Sequence, residues 1–391
     1  SVSQPVASAQ PAAHPGPSIR HKAAVLPFQM ALPALDAFPR KIWSQIGARC
    51  VRAMQIADMA NPSALGLESL RSAIATYLQV ARGISCSPAQ VFITSGYRNS
   101  LALIAHALLK PDDCVLVEDP GYPPTRQLLE YLRIKVAAVP VDQDGMRVAQ
   151  GISRTPQARA AVVTPAHQSP LCVSLSLPRR LQLLEWAARE QAWIVEDDYD
   201  GEYRYSGAPL APLAALDRQG RVLYVGTFGK VAFPALRLGY LVLPQGLVDA
   251  FARRRAVDVR HSEVSTQAVM AEFMAAGHFQ RHIRRMRRAA LSRRNAVLNG
   301  WPTGVPGLGK LPSVAAGLHL TVSVDSLSRE RELIERARGV DVEINGLSSY
   351  WLADSLTPED QRAGLVLGFA AVPEAAIAAA LARLRKAWGV A

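Results

Sequence analysis

Apolar residues recur along this chain in two alternating rhythms. Short runs at Val91–Thr94, Cys114–Val117, Val136–Val139, Ala160–Thr164, Trp193–Glu196 and Arg221–Gly226 are apolar at nearly every position, the pattern of strands buried on both faces. Between them, Leu70, Ile74, Tyr77 and Leu78 mark one face of a helix from Glu68 to Arg82, and similar spacing predicts helices over Leu101–Leu109 and 178–190. Strands and helices alternating in this way predict βαβ units: an α/β fold with a mostly parallel sheet and a site at the carboxyl ends of its strands. A long helical stretch follows over 247–300. Strands Leu318–Val322 and Gly364–Phe369, with helices at 328–338 and 373–388, then read as a smaller α+β domain. Residues 1–24 are rich in Pro, Ala and Ser without periodic hydrophobicity and read as a linker, and a start at Ser1 suggests a further domain ahead of it.

Composition narrows the class. With 391 residues, 49% of them hydrophobic, and a mean hydropathy of +0.08, the chain is expected to fold around a large core. No apolar run reaches the roughly 20 residues needed to cross a bilayer, and no apolar leader opens the chain, so neither a membrane span nor a signal peptide is expected. Cys50, Cys86, Cys114 and Cys172 stand singly, which argues against disulfide or zinc frameworks and for a cytoplasmic location. The net charge of +12 suits an acidic partner. However, no helix-turn-helix or RNA-binding signature appears, so Arg253, Arg254, Arg255, Arg284, Arg285, Arg287 and Arg288 read as a solvated helix face.

The candidate chemistry lies at strand ends. Lys230 follows an apolar strand through a Gly-containing turn, and Arg237 comes seven positions later. Upstream, the strand at 193–196 runs into Asp197, Asp198 and Tyr199. A lysine able to form a Schiff base, a carboxylate for a pyridinium nitrogen and an arginine for a phosphate are what pyridoxal 5′-phosphate (PLP) requires of a protein. From the residues alone, either Asp197 or Asp198 supplies the anion. Ser95, Gly96 and Tyr97 precede a helix and offer backbone amides to a phosphate, with Thr227 and Arg237 completing the site. Tyr122 is placed to stack on a ring, Tyr199 to bond its hydroxyl, and His167 and Gln168 to reach its substituents.

These residues sit in segments that resemble a known family. EDDYDGEYRY at 196–205, VLYVGTFGK at 222–230 and FPALRLGYLVLP at 233–244 look like the aminotransferase-like domain of MocR/GabR-type transcriptional regulators of the GntR superfamily. So do TSG at 94–96, VEDPGY at 117–122, TPAHQ at 164–168 and LPALDAFP at 32–39. The resemblance implies the PLP-dependent transferase fold type I, with a seven-stranded type of mostly parallel sheet between helices. It implies that Lys230 carries the cofactor, Asp197 meets the pyridine nitrogen, Tyr199 approaches the ring oxygen and Tyr122 stacks on the ring. Thr227, Arg237 and the amides after Ser95 hold the phosphate. The expected division is a linker remnant at 1–25, a segment at 26–48 packing with the small domain, a large PLP-binding domain at 49–250, and an interdomain helix with the small domain at 251–391.

Several positions depart from the family's pattern. Gly229 stands where serine usually precedes the lysine, and Pro170-Leu171-Cys172 replaces Pro-Thr-Gly. The stretch Ala57–Pro62 lacks the tyrosine that reaches a neighbouring subunit, and Val366, with Arg362 nearby, takes the place of an arginine for a substrate carboxylate. The expected function is therefore effector sensing and homodimerisation, with a small amine, an amino acid or PLP itself as ligand. DNA would be bound only through a preceding winged helix-turn-helix. The alternative is a free-standing aminotransferase acting on an amino acid and a 2-oxo acid.

Overall fold

The computed structural model describes residues 24–60, 63–257, 263–352, 355, 357–358 and 361–390, so the linker expected at 1–25 lies outside them but for its last two residues. The large sheet comprises β1 (Val91–Thr94), β2 (Cys114–Asp119), β3 (Lys135–Asp142), β4 (Gly145–Met146), β5 (Ala160–Val163), β6 (Trp193–Asp198), β7 (Val222–Thr227) and β8 (Gly239–Val242). Their order is β1-β8-β7-β6-β5-β2-β3-β4. From β3 through β2, β5 and β6 to β7 the pairing is parallel; β8 runs antiparallel between β7 and β1. The eighth strand, beyond the seven expected, is the two-residue β4 folded back on the end of β3.

The inner strands are apolar at successive positions because helices cover both faces. Val115 and Val117 pack with Phe92, Leu103 and Leu129 on one side; Leu116, between them, packs with Leu183 and Trp186 on the other. The same alternation sends Val195 of β6 to the first side and Ile194 to the second. β6 continues two residues beyond the expected end at 196, so this period of two also sorts its carboxylates. Asp197 shares the face of Val195, and Glu196 and Asp198 share that of Ile194.

The long helical stretch is three helices rather than one: Val248–Val257, Val264–Ala275 and His278–Gly300. Gly277, in the left-handed region at φ 70°, separates the last two. Arg255 departs from the expected solvated face: it is fully buried, and its guanidinium donates to the Ile93 carbonyl at 2.9 Å.

A second, antiparallel sheet holds β9 (His319–Ser323), β10 (Asn345–Gly346) and β11 (Gly364–Gly368) in the order β10-β11-β9. Helices Leu327–Arg338 and Glu374–Trp388 pack on it through Leu333, Leu381 and Leu384. The segment 26–48 is divided between the cores. Phe28 and Ala34 join the smaller one, and Gly368 N–H donates to the Phe28 carbonyl at 3.0 Å. Phe38 and Ile46 join the larger one beside Ile74 and Met270.

Candidate functional site

A cavity of about 470 Å³, a size that suits a small cofactor, opens at the carboxyl ends of β5, β6 and β7. Met30, Ala31 and Leu32 cover it from the chain's start, and Leu318, His319, Asn345 and Tyr350 close it from the small domain.

Lys230 stands at its floor. β7 ends at Thr227, whose hydroxyl accepts from Gly229 N–H at 3.0 Å and shapes the turn that carries the lysine. The Tyr203 hydroxyl fastens the Lys230 carbonyl at 2.6 Å. The amine donates to the Ala31 carbonyl at 2.9 Å. Burial lowers its pKa to about 8, against the opposing pull of the Asp200 and Asp197 charges, which brings the nucleophilic free amine closer to neutral pH.

Asp197 faces the same cavity. Its carboxyl is buried, and among the described residues none forms a hydrogen bond with its side chain. Burial first, then the Asp198 charge, pushes its pKa well above the ordinary carboxylate range. A buried carboxylate without a donor is completed by an N–H from whatever occupies the cavity, the requirement that a protonated ring nitrogen meets.

The opposite end is built for an anion. Gly96 adopts φ 111° and ψ −175°, a conformation open to glycine, and turns the chain from β1 into the helix Tyr97–Leu108. Ser95, Gly96 and Tyr97 at this helix start line the cavity with Thr227 and Arg237. Arg98, passed over in the sequence reading, lines it too, and its signal was its place in the first turn after the TSG motif. Tyr122 stands at the rim, 42% exposed, with its ring edge-on to Tyr97 at 5.9 Å.

Tyr199 lines the cavity, but His167 and Gln168 do not, contrary to the expectation that they reach the ring. Their loop closes on itself, with Gln168 N–H donating to the Val173 carbonyl at 2.7 Å and Cys172 N–H to the Gln168 carbonyl at 2.8 Å. The Gln168 amide is thereby spent on the carbonyls of Pro120 and Ser169, and Ser169 is the loop residue exposed to the cavity. His167 lies behind Tyr199. With Asp200 and His319 it forms a cluster of metal-capable atoms within 4.8 Å, but its Nδ1 is already engaged by Asp200 at 3.0 Å.

Val366, in β11, is fully buried against Leu347 and Tyr350. Arg362 turns its guanidinium to the carbonyls of Thr357 and Ser355. Neither residue lines the cavity, whose cations (Lys230, Arg98 and Arg237) belong to its floor and its anion end.

Comparison with known proteins agrees with this layout. The chain matches the aminotransferase class I and II family over residues 58–321. It is 34% identical to the uncharacterized HTH-type transcriptional regulator YdeL of Bacillus subtilis, covering 83% of this chain and 69% of that one. It is 32% identical to the probable rhizopine catabolism regulatory protein MocR of Rhizobium meliloti, covering 92% of this chain and 72% of that one. Among solved structures, the kynurenine aminotransferase of Pyrococcus horikoshii, crystallised with PMP, superposes with a TM-score of 0.80 at 27% identity, covering 93% of this chain and 91% of that one. Fold, site layout and similarity along most of its length together show that the chain belongs to the aminotransferase class I and II family, in the branch carried by MocR-type transcriptional regulators.

Proposed function

We propose that the cavity binds PLP on Lys230 and that its occupancy is the input of a transcriptional regulator. The observation that carries this reading is the pairing, in one cavity, of a lysine of lowered pKa with a buried carboxylate that no donor among the described residues meets. Bound there, PLP supplies an aldehyde for condensation with an amine and a ring that draws electrons from the attached carbon. Lys230 offers the amine, and Asp197 holds a proton on the ring nitrogen. Arg98, Arg237, Thr227 and the amides at the start of helix Tyr97–Leu108 hold the phosphate. Tyr122 covers the ring face, and Tyr199 donates to the ring oxygen.

The effector is a primary amine, an amino acid or PLP itself. DNA is contacted through a preceding winged helix-turn-helix, the kind of segment that the relatives' description as HTH-type regulators supports. The working unit is a cytoplasmic homodimer. Val51, Ile56 and Met59, which are 60%, 88% and 68% exposed, give a second copy an apolar strip to cover. Among the described residues, no helix is long and apolar enough to cross a membrane.

The test is incubation of purified protein with PLP, borohydride reduction and peptide mass spectrometry. Cofactor mass on Lys230 is expected; uptake on another lysine, or none, overturns the reading.

The likeness to a kynurenine aminotransferase favours a second reading, turnover of an amino acid with a 2-oxo acid. The burial of Val366 and the engagement of Arg362 weigh against it, because neither offers the cavity a cation for a carboxylate. Catalytic formation of oxo acid over repeated cycles would decide for the enzyme.

A further inference from the structure

His167 is buried, unused by the cofactor contacts above, and has two neighbours on one ring nitrogen. Its Nδ1 lies 3.0 Å from the Tyr199 hydroxyl and 3.0 Å from Asp200 Oδ2, with the His167 and Asp200 side chains 4% and 1% exposed. The ring is held in place. Gly317, at φ 84°, presses its backbone against it so closely that an added Cβ would fall 1.9 Å from the ring, and His319 lies on another side with ring centroids 5.0 Å apart.

This geometry places a hydrogen. A carboxylate only accepts, so the nitrogen facing Asp200 carries the N–H. Burial opposes charge on the ring, but the Asp200 carboxylate outweighs it and raises the pKa to about 10; the neutral Nδ1–H tautomer and the imidazolium both carry that hydrogen. The Tyr199 oxygen, on the same Nδ1, is then an acceptor on its inner side. Burial, then the Asp200 charge, pushes the phenol's pKa well above its ordinary value, so its own hydrogen stays on. His167 has no lone pair there to receive it. Tyr199 lines the cavity, so the cavity is the side left open to that hydrogen.

We propose that Asp200 and His167 are positioning residues for Tyr199. The carboxylate fixes a hydrogen on His167 Nδ1, and the imidazole in turn leaves the phenol as a donor aimed into the cavity, toward the ring oxygen of bound PLP. The second half rests on the cavity being the PLP site; the first half does not.

Two measurements test it separately. In cofactor-free protein labelled with ¹⁵N-histidine, and with the His167 signal identified by its loss in His167→Asn, wild type shows a protonated Nδ1. Asp200→Asn removes the fixing charge and populates the form protonated only at Nε2, as the same change does to a catalytic histidine in serine proteases. A wild-type His167 without hydrogen on Nδ1 overturns the proposal, and this reading needs only the His167→Asn variant to fold. The second measurement is PLP affinity by absorbance titration. Asp200→Asn and Tyr199→Phe each weaken it about five- to tenfold, the worth of one hydrogen bond, and the double variant is no weaker than Tyr199→Phe alone. Additive losses overturn the proposal, because Asp200 would then act other than through Tyr199. Wild type that takes up no PLP defeats the reading of the cavity and leaves the histidine spectrum to decide the hydrogen's position.

Discussion

Asp197 and Asp198 are chain neighbours on β6, yet they face opposite sides of the sheet and have opposite surroundings. Asp197 meets the cavity with no donor among the described residues, whereas Asp198 accepts from Arg82 at 2.7 Å and from the Tyr224 hydroxyl. Burial opposes the Asp198 charge, but the Arg82 guanidinium holds its pKa below the ordinary value. Asp197→Asn is therefore expected to weaken PLP binding at least tenfold with little effect on folding. Asp198→Asn breaks a buried ion pair, should cost about 3 kcal/mol or more of stability, and should change cofactor affinity little. Urea unfolding and absorbance titration of both variants check the contrast, and equal effects on affinity would remove it.

The lowered pKa of Lys230 makes a prediction with a sign. Its charge is lost as pH rises through about 8. Only the neutral amine attacks an aldehyde, so the second-order rate of PLP uptake should climb about tenfold per pH unit below 8 and level off above it. Stopped-flow absorbance between pH 6 and 10 reads this directly. A climb that continues to pH 10 would mean that the amine is not held as the structure shows.

Arg237 separates the phosphate from the rest of the cofactor. Arg237→Ala should reduce affinity for PLP about 10- to 100-fold, the scale of a charge-assisted hydrogen bond. Affinity for pyridoxal, which lacks the phosphate, should change much less. Parallel titrations with the two aldehydes decide it; equal losses would place the phosphate elsewhere.

His282 ties stability to acid. Its Nε2–H donates to the Val231 carbonyl at 2.8 Å, one residue beyond Lys230. Burial lowers its pKa to about 4, so the folded protein takes up this proton less readily than the unfolded chain, whose histidines titrate near 6.5. The stabilising effect of the neutral ring is complete above about 6.5 and is lost as pH falls toward 4, by up to about 3 kcal/mol. His282→Gln, which keeps a donor but does not titrate, should flatten that limb in urea unfolding at pH 7.5, 6 and 5.

The alternation of apolar runs and helical stripes made the large domain legible, because strands buried on both faces of a parallel sheet read as short, nearly continuous apolar runs bounded by turn residues. The helix Glu68–Arg82 appears with its expected bounds, ended by Gly83 at φ 68°. Residues at strand ends were legible as well: Lys230, Asp197, Tyr199, Thr227 and Arg237 all meet one cavity. The loop after β5 was not. Irregular backbone has no period, so nothing in the string says that Ser169 rather than His167 or Gln168 faces inward. Nor could local pattern show that Arg255 would be buried against Ile93, or that Ala31 would lie over Lys230, 199 residues away in the chain. Such contacts arise from tertiary packing.

The Ala31 carbonyl receives its hydrogen bond from the group that the proposed chemistry consumes. Once that nitrogen is joined to an aldehyde it no longer has the ammonium hydrogens that tether the covering strap. The neighbouring anchors, the carbonyls of Pro27 and Phe28 on Glu343 and Gly368, are untouched by the reaction. If the proposed chemistry holds, the stretch beside Ala31 would be loosened at one rivet and held at two, and would report whether the vitamin is on board.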